Sequence, residues 1–158
     1  SVGQISKGEF FDFYLDTEYF GNISMELNAR FPTGIRILEV RSLPLKIPSL
    51  NSSINLIYYE VNIAPEQIKK PLDFSDRTPI YVQAKTDKKN ILESLESISL
   101  KDNTLYGGLY FGKGKVNIYE LLAHLTDSTV ESAKVYKITR TTMYVQKEGA
   151  LYSPMEVK

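Results

Sequence analysis

Residues 6–45 read SKGEFFDFYLDTEYFGNISMELNARFPTGIRILEVRSLPL, and the rest of the chain is expected to be organised around them. From 9 to 16 the side chains alternate, with Phe11, Phe13 and Leu15 on one face and Phe10, Asp12, Tyr14 and Asp16 on the other. A period of two predicts a half-buried strand. Asn22 then suits a helix N-cap, because its side-chain oxygen accepts from the orphan N–H groups of the first turn. The helix it opens carries Ile23, Leu27 and Phe31 at i, i+4 and i+8, and Pro32-Thr33-Gly34 ends it. The chain is expected to return as a second strand, completing a strand–helix–strand unit.

Beyond this unit, Pro44, Pro48 and the polar Asn51-Ser52-Ser53 predict a loop. Residues 54–63 contain the continuous run Leu56-Ile57-Tyr58-Tyr59, which suits a central strand covered on both faces. Ala64-Pro65-Glu66 can start a short helical turn, and Pro71 and Pro79 keep the next connection irregular. Residues 80–84 and 93–100 alternate as strands, and Lys101-Asp102-Asn103-Thr104 turns the chain into a strand over 105–111. Gly112-Lys113-Gly114-Lys115 ends that strand. Asn117 with Glu120 three residues later has the form of a capping box, and Ile118, Leu121, Leu122 and Leu125 form the apolar stripe of the helix it opens. Thr126-Asp127-Ser128 closes the helix, a last strand covers 132–146, and Pro154 lies in the tail.

The reading is α+β: a mainly antiparallel sheet with two short helices, in a single domain over 1–158. The strand–helix–strand order near each end suggests two related halves.

The composition of 158 residues, 42% hydrophobic and 24% charged, fits one globular domain that buries roughly two-thirds of its unfolded surface. Nineteen basic and nineteen acidic residues give zero net charge, so no global field draws the chain to nucleic acid or an anionic membrane. With no cysteine there is no disulfide framework, thiol nucleophile or thiolate metal site, and an iron–sulfur cluster must sit on another chain. No apolar run approaches the roughly 18 residues of a membrane span. The expectation is a cytoplasmic protein, in which Asn22-Ile23-Ser24 and Asn51-Ser52-Ser53 are chance matches to a glycosylation triplet.

Chemical motifs are weak. Gly107, Gly112 and Lys113 have the spacing of a phosphate loop, but Gly114 stands where Ser or Thr would hold magnesium, and Gly108-Leu109-Tyr110-Phe111 reads as strand. His124 is the only histidine and lies beside the apolar stripe, so a solvated helix residue is favoured over a metal ligand. The near carboxylate pairs are Glu93 with Glu96, Asp73 with Asp76, and Asp12 with Asp16. Nothing in their spacing sets up paired acid–base work. The chain is therefore expected not to be an enzyme by itself and to need no cofactor or metal.

The unusual feature is aromatic: eleven Tyr and seven Phe without Trp. Sheet packing explains most of them. In the last predicted strand, Tyr136, Ile138, Arg140, Thr142 and Tyr144 would share one face, and Lys137, Thr139 and Thr141 the other. An arginine between tyrosines on a sheet can stack bases and bind phosphate, so Arg140, Tyr136, Tyr144, Thr141 and Lys137 are the candidate ligand- or partner-binding residues. The competing role for Arg140 is an ion pair with a carboxylate on the neighbouring strand. Asn28, Pro32 and Gly34 are expected to be structural.

The residues Ser6-Lys7-Gly8-Glu9-Phe10-Phe11-Asp12, Leu27-Asn28 and Pro32-Thr33-Gly34-Ile35 resemble the bacterial radical-SAM-linked protein family, a domain of unknown function. Arg140-Thr141-Thr142-Met143-Tyr144 and Ser153-Pro154-Met155 resemble its closing strand and tail, and 85–95 is similar in character. The family usually has Glu where Thr33 stands. The resemblance covers the family's C-terminal two-thirds, and its His- and Pro-containing N-terminal segment has no counterpart here, so either this chain is the C-terminal part of a longer protein or the match is remote. It implies a role beside a radical-SAM enzyme in the neighbourhood of RNA metabolism, and it supplies no catalytic residue. Three functions follow as expectations: a non-catalytic RNA-recognition or substrate-presenting module, a protein-interaction or dimerisation module acting through a sheet edge, and a small-molecule-binding domain.

Overall fold

The computed structural model describes residues 4–15, 19, 21–42, 48–76, 78–83 and 87–156. In chain order its elements are β1 (Gln4–Ser6), α1 (Ile23–Arg30), α2 (Leu50–Ser53), β2 (Leu56–Asn62), β3 (Tyr81–Gln83), β4 (Lys88–Asn90), β5 (Leu95–Lys101), β6 (Thr104–Tyr110), α3 (Ile118–Leu125), α4 (Val130–Ala133), β7 (Lys137–Lys147) and β8 (Ala150–Tyr152). Single 3-10 turns lie at Pro65–Gln67 and Pro154–Glu156. The main sheet runs β1-β7-β2-β6-β5, with β8 on the far end of β7, and β3 and β4 form a separate pair. Only β1 with β7 is parallel among these pairings. The fold is α+β with a mainly antiparallel sheet.

β2 is the middle strand, as its unbroken apolar run predicts. Ile57, Tyr59 and Val61 point to one side of the sheet and are buried there with Leu105, Leu109, Ile138, Met143 and Val145. The stripe of α3 joins the same cluster through Ile118, Leu121, Leu122 and Leu125. Fully burying each such side chain contributes about 1.5–3 kcal/mol, so this contact outweighs the intrinsic preference of an eight-residue helix. Local chemistry sets where α3 begins. Asn117 Oδ1 accepts from the backbone N–H groups of Tyr119 and Glu120 at 2.9 and 3.0 Å, and Glu120 Oε2 accepts from Asn117 N–H at 2.9 Å. Ser94, fully buried, ties the approach to this helix to the turn after β4: its Oγ donates to Asn90 C=O and accepts from Val116 N–H.

The opening unit departs from its reading. α1 forms with the Asn22 cap, Asn22 Oδ1 accepting from Met25 N–H at 3.0 Å, but it buries no residue. Among the described residues, 9–15 and 35–42 belong to no ladder; Asp16 and 43–45 lie outside them. The two related halves are therefore not seen at this end. The reason is pairing: an isolated pair of strands is marginal in water, and neither segment pairs with the main sheet, although Glu9 and Phe10 touch it through their side chains. Phe11, Phe13 and Leu15 remain 54%, 44% and 51% exposed. The core instead belongs to residues 54–145.

Asn28 explains why 35–42 still turns back beside α1. Its Nδ2 donates to Ile37 C=O at 3.1 Å and its Oδ1 accepts from Ile37 N–H at 2.7 Å, so one side chain reproduces a ladder pair. Gly34 makes the turn at φ +98°, a conformation that costs a side-chain-bearing residue about 1–3 kcal/mol. A Cβ there meets nothing within 4 Å, so the cost is backbone strain alone. Gly34→Val is expected to loosen this turn while leaving ligand binding unchanged; hydrogen exchange at Ile37 N–H, compared with an affinity measurement, checks both halves of the statement.

The last strand also starts later than expected. Residues 130–133 form α4, whose cap Thr129 accepts from Ser132 N–H at 3.1 Å, and β7 begins at Lys137. Strand β4 was not anticipated from the sequence. It pairs Tyr81 with Asn90 and Gln83 with Lys88.

Candidate functional site: the open face of the sheet

The pairing of β2 with β7 shifts by one residue between Tyr58 and Tyr59: Tyr58 lies opposite Thr142, but Tyr59 lies opposite Arg140. Thr141 is the extra residue of a bulge, and its Oγ1 donates to Tyr58 C=O at 3.3 Å. One inserted residue exchanges the two faces of everything beyond it. Before the bulge, Ile138 and Arg140 lie on the core side with Val61 and Tyr59. After it, Met143 and Val145 take the core side, and Thr142 and Tyr144 turn to the other.

The five candidate residues are accordingly dispersed, which corrects the shared face drawn from simple alternation. Tyr136 precedes β7 and packs half-buried against the core cluster. Arg140 is on the core side, with its Nη2 2.6 Å from Glu9 Oε1. Tyr144 is on the opposite side, Lys137 is exposed at the start of the strand, and Thr141 sits in the bulge. Arg140 thus makes an ion pair, but its carboxylate comes from Glu9 in the segment after β1 and not from a neighbouring strand.

The side of the sheet away from α3 carries the aromatic surface. Reading across β7, β2, β6 and β5, its successive rows are Tyr144-Leu56-Tyr110, Thr142-Tyr58-Gly108-Ser97, Thr139-Glu60-Tyr106-Ser99 and Lys137-Asn62-Thr104-Lys101. Rows two residues apart along a strand are about 6.7 Å apart. Tyr58 and Tyr144 meet edge to face with centroids 5.8 Å apart, and Tyr58 Oη donates to Glu96 Oε2 at 3.1 Å. Burial, then the Glu96 hydrogen bond, raises the Tyr58 phenol above its ordinary 10.0, so it remains a donor at neutral pH. Gly108 makes the floor of this cluster. A Cβ there would stand 2.6 Å from Glu96 Oε2 and 2.9 Å from the Tyr58 ring. Tyr106 is exposed, and Tyr58, Tyr110 and Tyr144 are half-buried. Cations lie at the margin: Lys101 and Lys137 in the last row, and Lys7, whose Nζ lies 3.2 Å from Glu60 Oε2.

Sequence reasoning reached Tyr144 but missed Tyr58, Tyr106 and Tyr110 as its companions. The available signal was the period of two in 54–63 and 105–111; the register that joins the strands was not readable.

The other motifs occupy structural positions. Gly107–Tyr110 lies within β6, so the phosphate-loop spacing is a strand followed by a glycine turn. Asp73 and Asp76 accept from the N–H groups of Ser75 and Thr78 at 2.9 and 2.7 Å; the hydroxyls of Ser75 and Thr78, and then these N–H groups, hold both carboxyls below 3.8. Asp12 Oδ2 accepts from Leu50 N–H, whereas Asp16 lies outside the described residues. Asn90 Nδ2 donates to Glu93 while Glu96 engages Tyr58. His124 is half-buried on α3, where burial, then Lys70, push it below its ordinary 6.5. It borders a shallow cavity of about 330 Å³ between β3, α3 and the start of α4. Among the described residues no three His, Cys, Asp or Glu side chains cluster for a metal ion, and no helix is long and apolar enough to cross a membrane.

Fold and surface together define an α+β sheet protein with α3 and α4 over one face and Tyr58, Tyr106, Tyr110 and Tyr144 along the other, where Leu56 between them is fully buried. The chain belongs to a bacterial family described as an uncharacterized protein conserved in bacteria (DUF2344), whose model matches residues 1–151. No curated protein and no solved structure matches the chain.

Proposed function

We propose that this chain is a non-catalytic RNA-recognition or substrate-presenting module of the cytoplasm that works with a radical-SAM enzyme, and that RNA lies on the open face of the sheet. The observation that carries the reading is the convergence of Tyr58, Tyr106, Tyr110 and Tyr144 on that face. Aromatic rings on a sheet receive unstacked bases of single-stranded RNA. Lys101, Lys137 and Lys7 stand where a backbone leaving the tyrosines would pass. Glu60 and Glu96 offset them, so affinity comes chiefly from stacking and falls only gently with salt. The radical-SAM partner is supported by the resemblance carried by residues 6–12, 32–35 and 140–144. The non-catalytic reading is supported by the near carboxylate pairs: Asp73 and Asp76 hold turns, Glu96 accepts from a hydroxyl, Glu93 from an amide and Asp12 from a backbone N–H.

Tyr106→Ala tests this reading with little effect on the fold, because the side chain is exposed. Together with Tyr144→Ala it should weaken binding of a single-stranded RNA by about 1–3 kcal/mol per lost stack, or roughly 5- to 150-fold. Unchanged affinity in both variants would overturn it.

A second reading, docking of a protein partner, is favoured by residues 9–15. Phe11, Phe13 and Leu15 alternate as a strand does, yet are exposed and outside any ladder, and Met25, Ile35, Leu38 and Val40 expose further apolar surface nearby in sequence. An added strand from a partner would satisfy that backbone and cover those side chains. Mass in solution, with and without the radical-SAM partner, measures this; a strict monomer indifferent to the partner would remove it.

A further inference from the structure

The core side of β7 holds a charged group that the tyrosine face does not use. Arg140 lies opposite Tyr59, and its side chain is 21% exposed. Its Nη2 donates to Glu9 Oε1 at 2.6 Å, but its Nε is buried with no hydrogen-bond partner among the described residues. A guanidinium offers Nε–H and Nη–H as a fork matched to two oxygens of one anion. Glu9 therefore satisfies only part of what Arg140 presents.

We propose that Arg140 is the centre of a binding site for a phosphate monoester, and that Glu9 occupies it as a displaceable internal stand-in. The Glu9 side chain is 48% exposed and can swing into solvent, while its backbone stays fixed between Lys7, whose N–H donates to Arg140 C=O at 3.0 Å, and Phe10, which packs against the core. A partly solvated ion pair of this kind contributes little. A phosphate monoester carries nearly two negative charges at neutral pH where Glu9 carries one, and its oxygens can take both Nε–H and Nη2–H. Tyr59 adds a neighbouring phenol, which burial pushes up to about 12 and so keeps as a donor. The site is on the opposite side of the sheet from Tyr58 and Tyr144, and it does not depend on the RNA reading.

Inorganic phosphate is the probe, titrated into the full chain while the Nε–H resonance of Arg140 is followed by NMR, with acetate in a parallel titration. The expected result is a saturable shift with phosphate at lower concentration than with acetate. Glu9→Gln should tighten phosphate roughly three- to tenfold by removing the internal competitor. Arg140→Gln should abolish the effect, and Arg140→Lys, which keeps the charge without the fork, should weaken it. An unmoved Nε–H resonance in both the parent and Glu9→Gln would overturn the proposal, as would phosphate binding that survives Arg140→Gln. Acetate binding as tightly as phosphate would overturn the assignment to a phosphate. Glu9→Gln reads the site without disturbing the guanidinium, so the outcome stands even if Arg140→Gln fails to fold.

Discussion

Leu121→Ala lowers the free energy of unfolding by about 3–5 kcal/mol. Leu121 has no exposed surface, and it lies in the one buried cluster that joins α3 to β2, β6 and β7. Removing its methyl groups forfeits their transfer energy and leaves a cavity that side chains from three strands cannot collapse to fill. With a total stability on the order of 5–15 kcal/mol, the loss is a large fraction of the whole. Urea unfolding measures it, with Met25→Ala as the contrast. Met25 lies on α1, which buries nothing, and its truncation should change stability by no more than about 0.5 kcal/mol. Equal effects of the two substitutions would contradict the placing of the core.

Glu120→Ala should cost about 2–4 kcal/mol, because one carboxylate serves two structures. Its Oε2 completes the capping box at Asn117, and both its oxygens meet Lys89 Nζ at 2.9 and 3.0 Å, fastening the β3–β4 hairpin to α3. The side chains are only 20% and 10% exposed, so removing the acid leaves a largely desolvated ammonium without a counter-ion. Two further variants separate the contributions. Glu120→Gln keeps an acceptor for the cap but not the charge, and adding Lys89→Met removes the stranded cation and should recover much of the loss. If Glu120→Gln alone were as stable as the parent, the ion pair would have no part in holding the hairpin.

These two sites show which parts of the fold the sequence made legible. The start of α3 is fixed by contacts three residues apart, so Asn117 and Glu120 announce it without knowledge of the rest of the chain. The strand at 56–62 was legible because its apolar run marks a strand inside a sheet, although only the side of Ile57, Tyr59 and Val61 is fully covered. Residues 9–15 were misread for the converse reason: their alternation reports two unlike faces but says nothing about what covers the apolar one. Asn28 was legible as structural, although its bonds to Ile37 could not be foreseen. The candidate site was legible in part. Tyr144 was named, but the bulge at Thr141 depends on how β7 registers against Tyr58 and Tyr59, and no Gly or Pro marks it. That single residue separates Tyr144 from Arg140 and gives Tyr144 the companions Tyr58, Tyr106 and Tyr110.

The central claim is that the open face receives RNA, and NMR mapping of a short single-stranded RNA on the chain at low salt tests it most directly. The account predicts shifts of the ring resonances of Tyr58, Tyr106, Tyr110 and Tyr144, spreading to the neighbouring β5 amides of Ser97 and Ser99, with α3 unmoved. No shift at low salt, or shifts confined to α3 and residues 7–42 while the four rings stay still, would contradict it.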